Sequence, residues 1–234
     1  MKIFRLLSLL LVVLLASCLN KKKSADTGIP GNESRYVVLA YVTSWGVSTP
    51  ETSCLTHINY AFGHVADDNK GIRIDNEHRL QMIVGLKKEK PSLKVLLSVG
   101  GWGSSRFSEM AANDSTRTAF AADCRRVIDK FGLDGIDIDW EYPGSGTAGI
   151  SFSSADKENF TLLMRDVRQA VGKDKLLTIA TAATGRYYDF RAIEPYVDYV
   201  NIMAYDMEEA PFHHAALHCS DMTEEWSCEK AVAG

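Results

Sequence analysis

Six apolar, β-branched-rich runs recur along the chain with helical stretches between them, and this alternation restricts the fold more than any single residue does. The runs are 36–44 (YVVLAYVTS), 56–62 (THINYAF), 94–100 (KVLLSVG), 135–141 (GIDIDWE), 176–183 (LLTIATAA) and 197–205 (VDYVNIMAY). Apolar residues at helical spacing lie between them. Leu80, Ile83 and Leu86 mark 76–88; Phe120, Val127 and Phe131 mark 114–131; Phe160, Leu163, Val167 and Val171 mark 153–171. Asp114 or Ser115 is the expected cap of the second helix, and Ser153 with Asp156 matches a capping box ahead of the third. Strands alternating with helices imply βαβ units and a parallel sheet.

Two α/β architectures build such a sheet, a doubly wound open sheet and a (β/α)8 TIM barrel. No G-x-G-x-x-G follows the first run, which weighs against dinucleotide binding. Polar and aromatic residues gather where the runs end: Ser44 and Trp45, Phe62 and Gly63, Gly100, Gly101 and Trp102, Glu141 and Tyr142, Tyr205 and Asp206. A barrel places its functional residues at the C-terminal ends of its strands, so the barrel is the expected fold. Six of its eight strands are legible, and the chain stops near the start of a sixth helix. A barrel lacking two strands exposes the edges of its first and last, so the chain is expected to be a fragment of a longer protein.

The run GIDIDWE carries the chemistry. Its period of two puts Asp137, Asp139 and Glu141 on one face and Ile136, Ile138 and Trp140 on the other. Neighbours on a face are about 6.6–7 Å apart along the backbone, so the three carboxyl groups can meet. In a barrel the acidic face looks inward. Like charge and burial then raise the pKa of at least one member, leaving it protonated near neutral pH. A protonated carboxyl beside ionised neighbours suits proton donation to a glycosidic oxygen. Glu141, at the open end and with the longest reach, is the best-placed donor. A calcium loop fits poorly, because Tyr142 stands where an EF-hand needs glycine and Ile and Trp intervene.

The segment DGIDIDWEYP, with Asp134, Asp137, Asp139 and Glu141, resembles the DxxDxDxE signature of glycoside hydrolase family 18, the chitinase family. Ser98, Gly100, Gly101 and Trp102 resemble its S-x-G-G strand; 41–45 and 59–62 resemble its first two strands; Met203, Tyr205 and Asp206 resemble its M-x-Y-D. The resemblance implies a retaining, substrate-assisted hydrolysis of β-1,4-linked N-acetylglucosamine in chitin or its oligosaccharides. By that resemblance Glu141 is acid and then base, and the substrate's 2-acetamido oxygen attacks the anomeric carbon. Asp139 orients the acetamido N–H, Tyr205 bonds its carbonyl, Asp137 shares charge or a proton with Asp139, and Asp206 contacts the sugar. Asp134 is expected to be structural. Trp45, Phe62, Gly100, Gly101, Trp102, Tyr142 and Met203 complete the expected substrate site, with the aromatic rings as stacking surfaces. No metal or cofactor is implied. An endo-β-N-acetylglucosaminidase acting on N-glycans and a non-hydrolytic chitin-binding relative are the alternatives.

The N-terminus reads as an address. Lys2 and Arg5 precede a nearly unbroken apolar run, 6–15, too short for the roughly 20 residues that span a bilayer. Leu15, Ala16, Ser17 and Cys18 then resemble a bacterial lipobox, so residues 1–17 are expected to be removed and Cys18 acylated. Residues 18–34 form a tether with the lysines at 21–23, and 35–234 the catalytic domain. Removing the leader takes Lys and Arg from 26 to 24 against 30 acidic residues, a net charge of −6 that argues against nucleic acid as a partner. The expected location is the cell envelope, membrane contact being through the lipid alone. An exported protein permits disulfides, and Cys219 with Cys228 is the favoured pair because they bracket one polar loop. His213, His214 and His218 lie in the same loop, but the spacing matches no standard zinc pattern.

Overall fold

The computed structural model describes residues 36–209, 211–221, 223 and 226–233. The expected leader, lipid attachment at Cys18 and tether fall on residues outside the described ones. The elements belong to one compact unit that starts at Val37. No described helix is long and apolar enough to cross a membrane.

Six strands run parallel: β1 (Leu39–Thr43), β2 (His57–Val65), β4 (Lys94–Gly100), β5 (Gly135–Asp139), β6 (Leu176–Ala182) and β7 (Tyr199–Met203). They are hydrogen-bonded in the order β1-β2-β4-β5-β6-β7. The sheet is strongly curled. Four strand spacings separate β2 from β7, about 19 Å in a flat sheet, yet the rings of His57 and Tyr199 lie 5.8 Å apart. Such curling is what closes a barrel, and the fold is this part of a (β/α)8 barrel. β1 and β7 form its open edges, where Val38, Tyr41, Tyr199 and Val200 are exposed.

One strand has no counterpart among the six runs. β3 (Ile72–Ile74) folds back antiparallel on Gly63–Val65, so β2 is longer than its apolar run suggests. The helices are α1 (Glu77–Gly85), α2 (Phe107–Ala111), α3 (Asp114–Phe131), α4 (Asp156–Val171), α5 (Phe190–Ile193) and α6 (Cys228–Ala233). A 3-10 turn, Leu86–Lys88, extends α1. Period two carries into the packing: Ile136, Ile138 and Trp140 point away from the barrel axis into the core beneath the helices. Trp140 stacks on Phe107 of α2 at 5.3 Å and meets Phe160 of α4 at 6.1 Å.

Two caps differ from expectation. Asn113, with an extended backbone, is the N-cap of α3, and Asp114 turns instead to the buried guanidinium of Arg117. Ser153 makes only the returning half of its box: its N–H donates to Asp156 Oδ2 at 2.8 Å, while Ala155 occupies the cap. Asp156 is fully buried and also accepts from Ser108 Oγ at 2.7 Å and the Gly144 N–H at 3.2 Å. It thereby ties the loop that follows Glu141 to α2.

Candidate active site

The acidic face of β5 lines the interior, and its exposure rises towards the open end, from 0% at Asp137 through 4% at Asp139 to 9% at Glu141. Only the last carboxyl reaches the rim. Asp137 is saturated. Its Oδ1 accepts from Thr178 Oγ1 (2.5 Å) and Asn201 Nδ2 (3.1 Å), and its Oδ2 from Ser98 Oγ (2.7 Å) and Tyr41 Oη (3.0 Å). Those donors come from β6, β7, β4 and β1. Burial lifts the Asp137 carboxyl, and the donors pull against that rise. Asp137 was expected to share charge or a proton with Asp139, and its charge does act on the Asp139 carboxyl. No hydrogen bond joins them among the described residues, because all four lone-pair directions of Asp137 are taken.

Asp139 is the opposite case. Its Oδ1 is buried without a hydrogen-bond partner. Burial, then the charges of Glu141 and Asp137, push its pKa well above the ordinary carboxylate value. Glu141 is also raised, by burial first and by Asp206 in addition, with a hydrogen bond from Tyr142 opposing. The Tyr205 hydroxyl is raised by burial and by the charges of Asp139 and Glu141, so it stands within their electrostatic reach. The structure thus brings Asp139, Glu141, Tyr205 and Asp206 together at one end of the barrel. Asp206 has a left-handed backbone (φ 52°) and an ion-pair contact to His214 at 3.3 Å. Met203 closes β7 below it, half-buried.

Aromatic rings surround the carboxyls. Trp45 and Trp102 are 70% and 63% exposed, unusual for indoles unless they are meant to be covered. Trp102 meets Tyr142 edge-on at 6.4 Å, and Tyr142 stacks on Tyr187 at 4.6 Å. Trp45 and Phe62 lie 6.5 Å apart on the other side. Tyr187 was not anticipated; nor was Tyr188, buried, with its hydroxyl donating to the Trp140 carbonyl at 3.2 Å. Both sit in a turn after β6 whose only sequence signal is a tyrosine pair.

Gly100 and Gly101 have a packing reason to lack side chains. A Cβ on Gly100 would lie 1.9 Å from the Asp139 carbonyl oxygen, and one on Gly101 2.8 Å from the Phe62 ring. Their φ angles, 133° and 95°, also exclude ordinary side chains. The bare backbone lets β4 press against the C-terminal end of β5. At the other end of β5, Asp134 bonds Lys87 Nζ at 2.6 Å and the Val95 N–H at 2.9 Å.

The favoured disulfide is a correction. Cys219 and Cys228 are both free thiols. Cys228 opens α6, and its Sγ lies 3.8 Å from the Ala204 carbonyl oxygen. His218 pairs with Glu229 at 3.0 Å. Among the described residues, no three His, Cys, Asp or Glu side chains are grouped to hold a metal ion.

The fold and site define a parallel barrel carrying a buried string of carboxyls that surfaces at the C-terminal rim among exposed aromatic rings. Residues 37–233 match Glycosyl hydrolases family 18, and the chain belongs to that family. It is 35% identical over 225 residues to probable chitinase 2 of Drosophila melanogaster, covering 85% of this chain and 45% of that protein. Chitinase A1 of Niallia circulans is 31% identical, with 89% of this chain and 39% of that one covered. The chain therefore spans less than half the length of these two relatives. Among solved structures, the chitinase domain of spore coat protein CotE from Clostridium difficile superposes with a TM-score of 0.80 at 34% identity, covering 89% of this chain and 62% of that one. A family 18 N-acetylglucosaminidase from Paenibacillus barengoltzii gives 0.77 at 38%, covering 85% and 63%.

Proposed function

We propose that the protein hydrolyses β-1,4 linkages between N-acetylglucosamine units of chitin or chito-oligosaccharides, with Glu141 as the proton donor. The observation that carries this reading is the unequal provision for the carboxyls on the inner face of β5. Asp137 has four donors, whereas Asp139 has a buried oxygen without a partner and Glu141 meets the rim with a raised pKa. A carboxyl at an open rim whose pKa is raised is suited to give its proton to a glycosidic oxygen. Asp139, short of a donor, is suited to accept the substrate's acetamido N–H as the acetamido oxygen attacks the anomeric carbon. Tyr205 then bonds that amide's carbonyl, and Asp206 holds a neighbouring hydroxyl. Glu141, now ionised, takes a proton from water in the second half of the reaction, giving net retention. Relatives named as chitinases support the substrate class.

The test incubates wild type and Glu141→Gln with chito-oligosaccharides and, separately, with an N-glycoprotein. Cleavage of the oligosaccharides by wild type alone is expected. Cleavage of the glycoprotein in their place would replace the substrate, and cleavage of neither would sink the enzymatic reading. The similarity to an N-acetylglucosaminidase favours one second reading, release of single terminal units, which product lengths distinguish.

The same reading includes export and anchoring through Cys18, supported by the lipobox pattern of residues 15–18. Cys18→Ala is expected to move the protein from the membrane to the soluble fraction; unchanged fractionation contradicts the anchor.

A further inference from the structure

Both chain neighbours of Glu141 are held by one turn. It spans residues 183–189, between β6 and α5, and carries the consecutive pair Tyr187 and Tyr188. On one flank, the last residue pair joining β5 to β6 is Ile138 with Ile179, so Trp140 lies beyond that ladder. The Tyr188 hydroxyl takes over there. It donates to the Trp140 carbonyl at 3.2 Å and stands 3.5 Å from the Ala180 carbonyl of β6. Burial first, and then the charge of Asp139, hold its pKa well above the ordinary phenol value, so the hydroxyl keeps the proton that it donates.

On the other flank the Tyr187 ring lies nearly parallel to that of Tyr142, with centroids 4.6 Å apart and planes 6° from each other. Tyr142 in turn hydrogen-bonds the Glu141 carboxyl. The turn itself is anchored. Tyr188 packs edge-on against Phe160 of α4 at 5.1 Å, Lys157 of α4 donates to the Arg186 carbonyl at 3.1 Å, and Asp189 accepts from the Ala192 N–H at 3.0 Å to cap α5.

A glutamate side chain is long and rich in rotamers, whereas a general acid must be held within about 0.5 Å of its productive geometry. We propose that Tyr187 and Tyr188 are positioning residues that clamp the acid from both flanks; the inference rests on the proposed role of Glu141. Tyr188 fixes the backbone from which the side chain starts, and Tyr187 fixes the phenol that holds its far end.

The test measures kcat, KM and their pH dependence on the tetrasaccharide of N-acetylglucosamine for wild type, Tyr188→Phe and Tyr187→Leu. Phenylalanine keeps the contacts of Tyr188 with Phe160 and Phe190 and removes only the hydroxyl. Tyr188→Phe is expected to lower kcat about tenfold, the weight of one hydrogen bond spent on orientation, with KM within about twofold of wild type. Tyr187→Leu is expected to lower kcat by a similar factor, and Tyr187→Phe, which keeps the stack, to restore it.

The pH profile separates positioning from folding. Asp139, Tyr142, Tyr188, Tyr205 and Asp206 face the Glu141 carboxyl, and burial is the first cause of its raised pKa. A released carboxyl turns to solvent and loses part of that rise. The alkaline limb of kcat, where the acid loses its proton, is therefore expected at lower pH in Tyr188→Phe. A smaller folded fraction would lower kcat at every pH and leave the limb in place. An unchanged kcat in Tyr188→Phe or Tyr187→Leu, a loss confined to KM, or an unmoved limb overturns the clamp while leaving Glu141 as the acid. If wild type cleaves nothing, carbon NMR of isotope-labelled glutamate, assigned through Glu141→Gln, reads the same titration directly. A lower Glu141 pKa in Tyr188→Phe then keeps the clamp and removes the hydrolysis, and an identical titration removes both.

Discussion

Asp134 and Glu141 mark the two ends of one short strand, and the structure treats them in opposite ways. Asp134, at the entry, is 2.6 Å from Lys87 and 3.6 Å from Lys94 and accepts the Val95 N–H. Glu141, at the exit, has no cation beside it among the described residues; its charged neighbours are carboxylates. A carboxylate given cations and a backbone donor holds strands together. One given burial and like charge has its pKa raised. The entry end of a barrel strand is thus provisioned for stability and the exit end for chemistry, at a cost in stability there.

Substitutions can break this contrast. Glu141→Gln is expected to have the largest effect, a fall in kcat of about 10²–10⁴ from the loss of general acid catalysis, with the melting temperature preserved. An unfolded Glu141→Gln would make Glu141 structural and erase the contrast. Trp140→Ala, on the outer face, removes a fully buried indole from between Phe107 and Phe160 and is expected to cost about 3–5 kcal/mol in chemical denaturation. Asp134→Asn keeps an acceptor for Val95 but loses the Lys87 pair, for about 1 kcal/mol of stability and no change in kcat.

The smallest effect carries the most informative sign. The folded protein holds the Asp139 proton to higher pH than the unfolded chain does, whose carboxyl titrates near 3.8. Stability linked to that proton is complete below 3.8 and is lost as pH rises towards the raised folded value. Asp139→Asn removes the loss. It is expected to raise the melting temperature at pH 7, with the gain shrinking as pH falls towards 4. A drop at pH 7 would show that Asp139 is satisfied in the folded state, against the partnerless oxygen described above.

Much of this was legible before any coordinates. The bounds of α3 and β4 coincide with the stretches read from helical period and β-branched content, and the acidic parity of β5 survives intact. What escaped is long-range or weakly marked. Thr178 and Asn201 meet Asp137 only because the sheet curls, although each is a polar residue in an apolar run and their parity is a usable signal. β3 is three residues behind a turn, too short for period two to register. Tyr188 and Trp140 come from separate segments, so no local spacing announces their bond. Cys219 and Cys228 stand as free thiols for a related reason: proximity along a loop does not by itself supply the geometry a disulfide needs.

The account turns on Glu141 working with the substrate's own acetamido group and not with a second enzymic nucleophile. Proton NMR of the product first released from the tetrasaccharide of N-acetylglucosamine, run beside its fully deacetylated counterpart, tests this directly. A β-anomeric product from the acetylated substrate, with the deacetylated one left uncleaved, is the predicted result. An α-anomeric product, or cleavage of both substrates at similar rates, would contradict it.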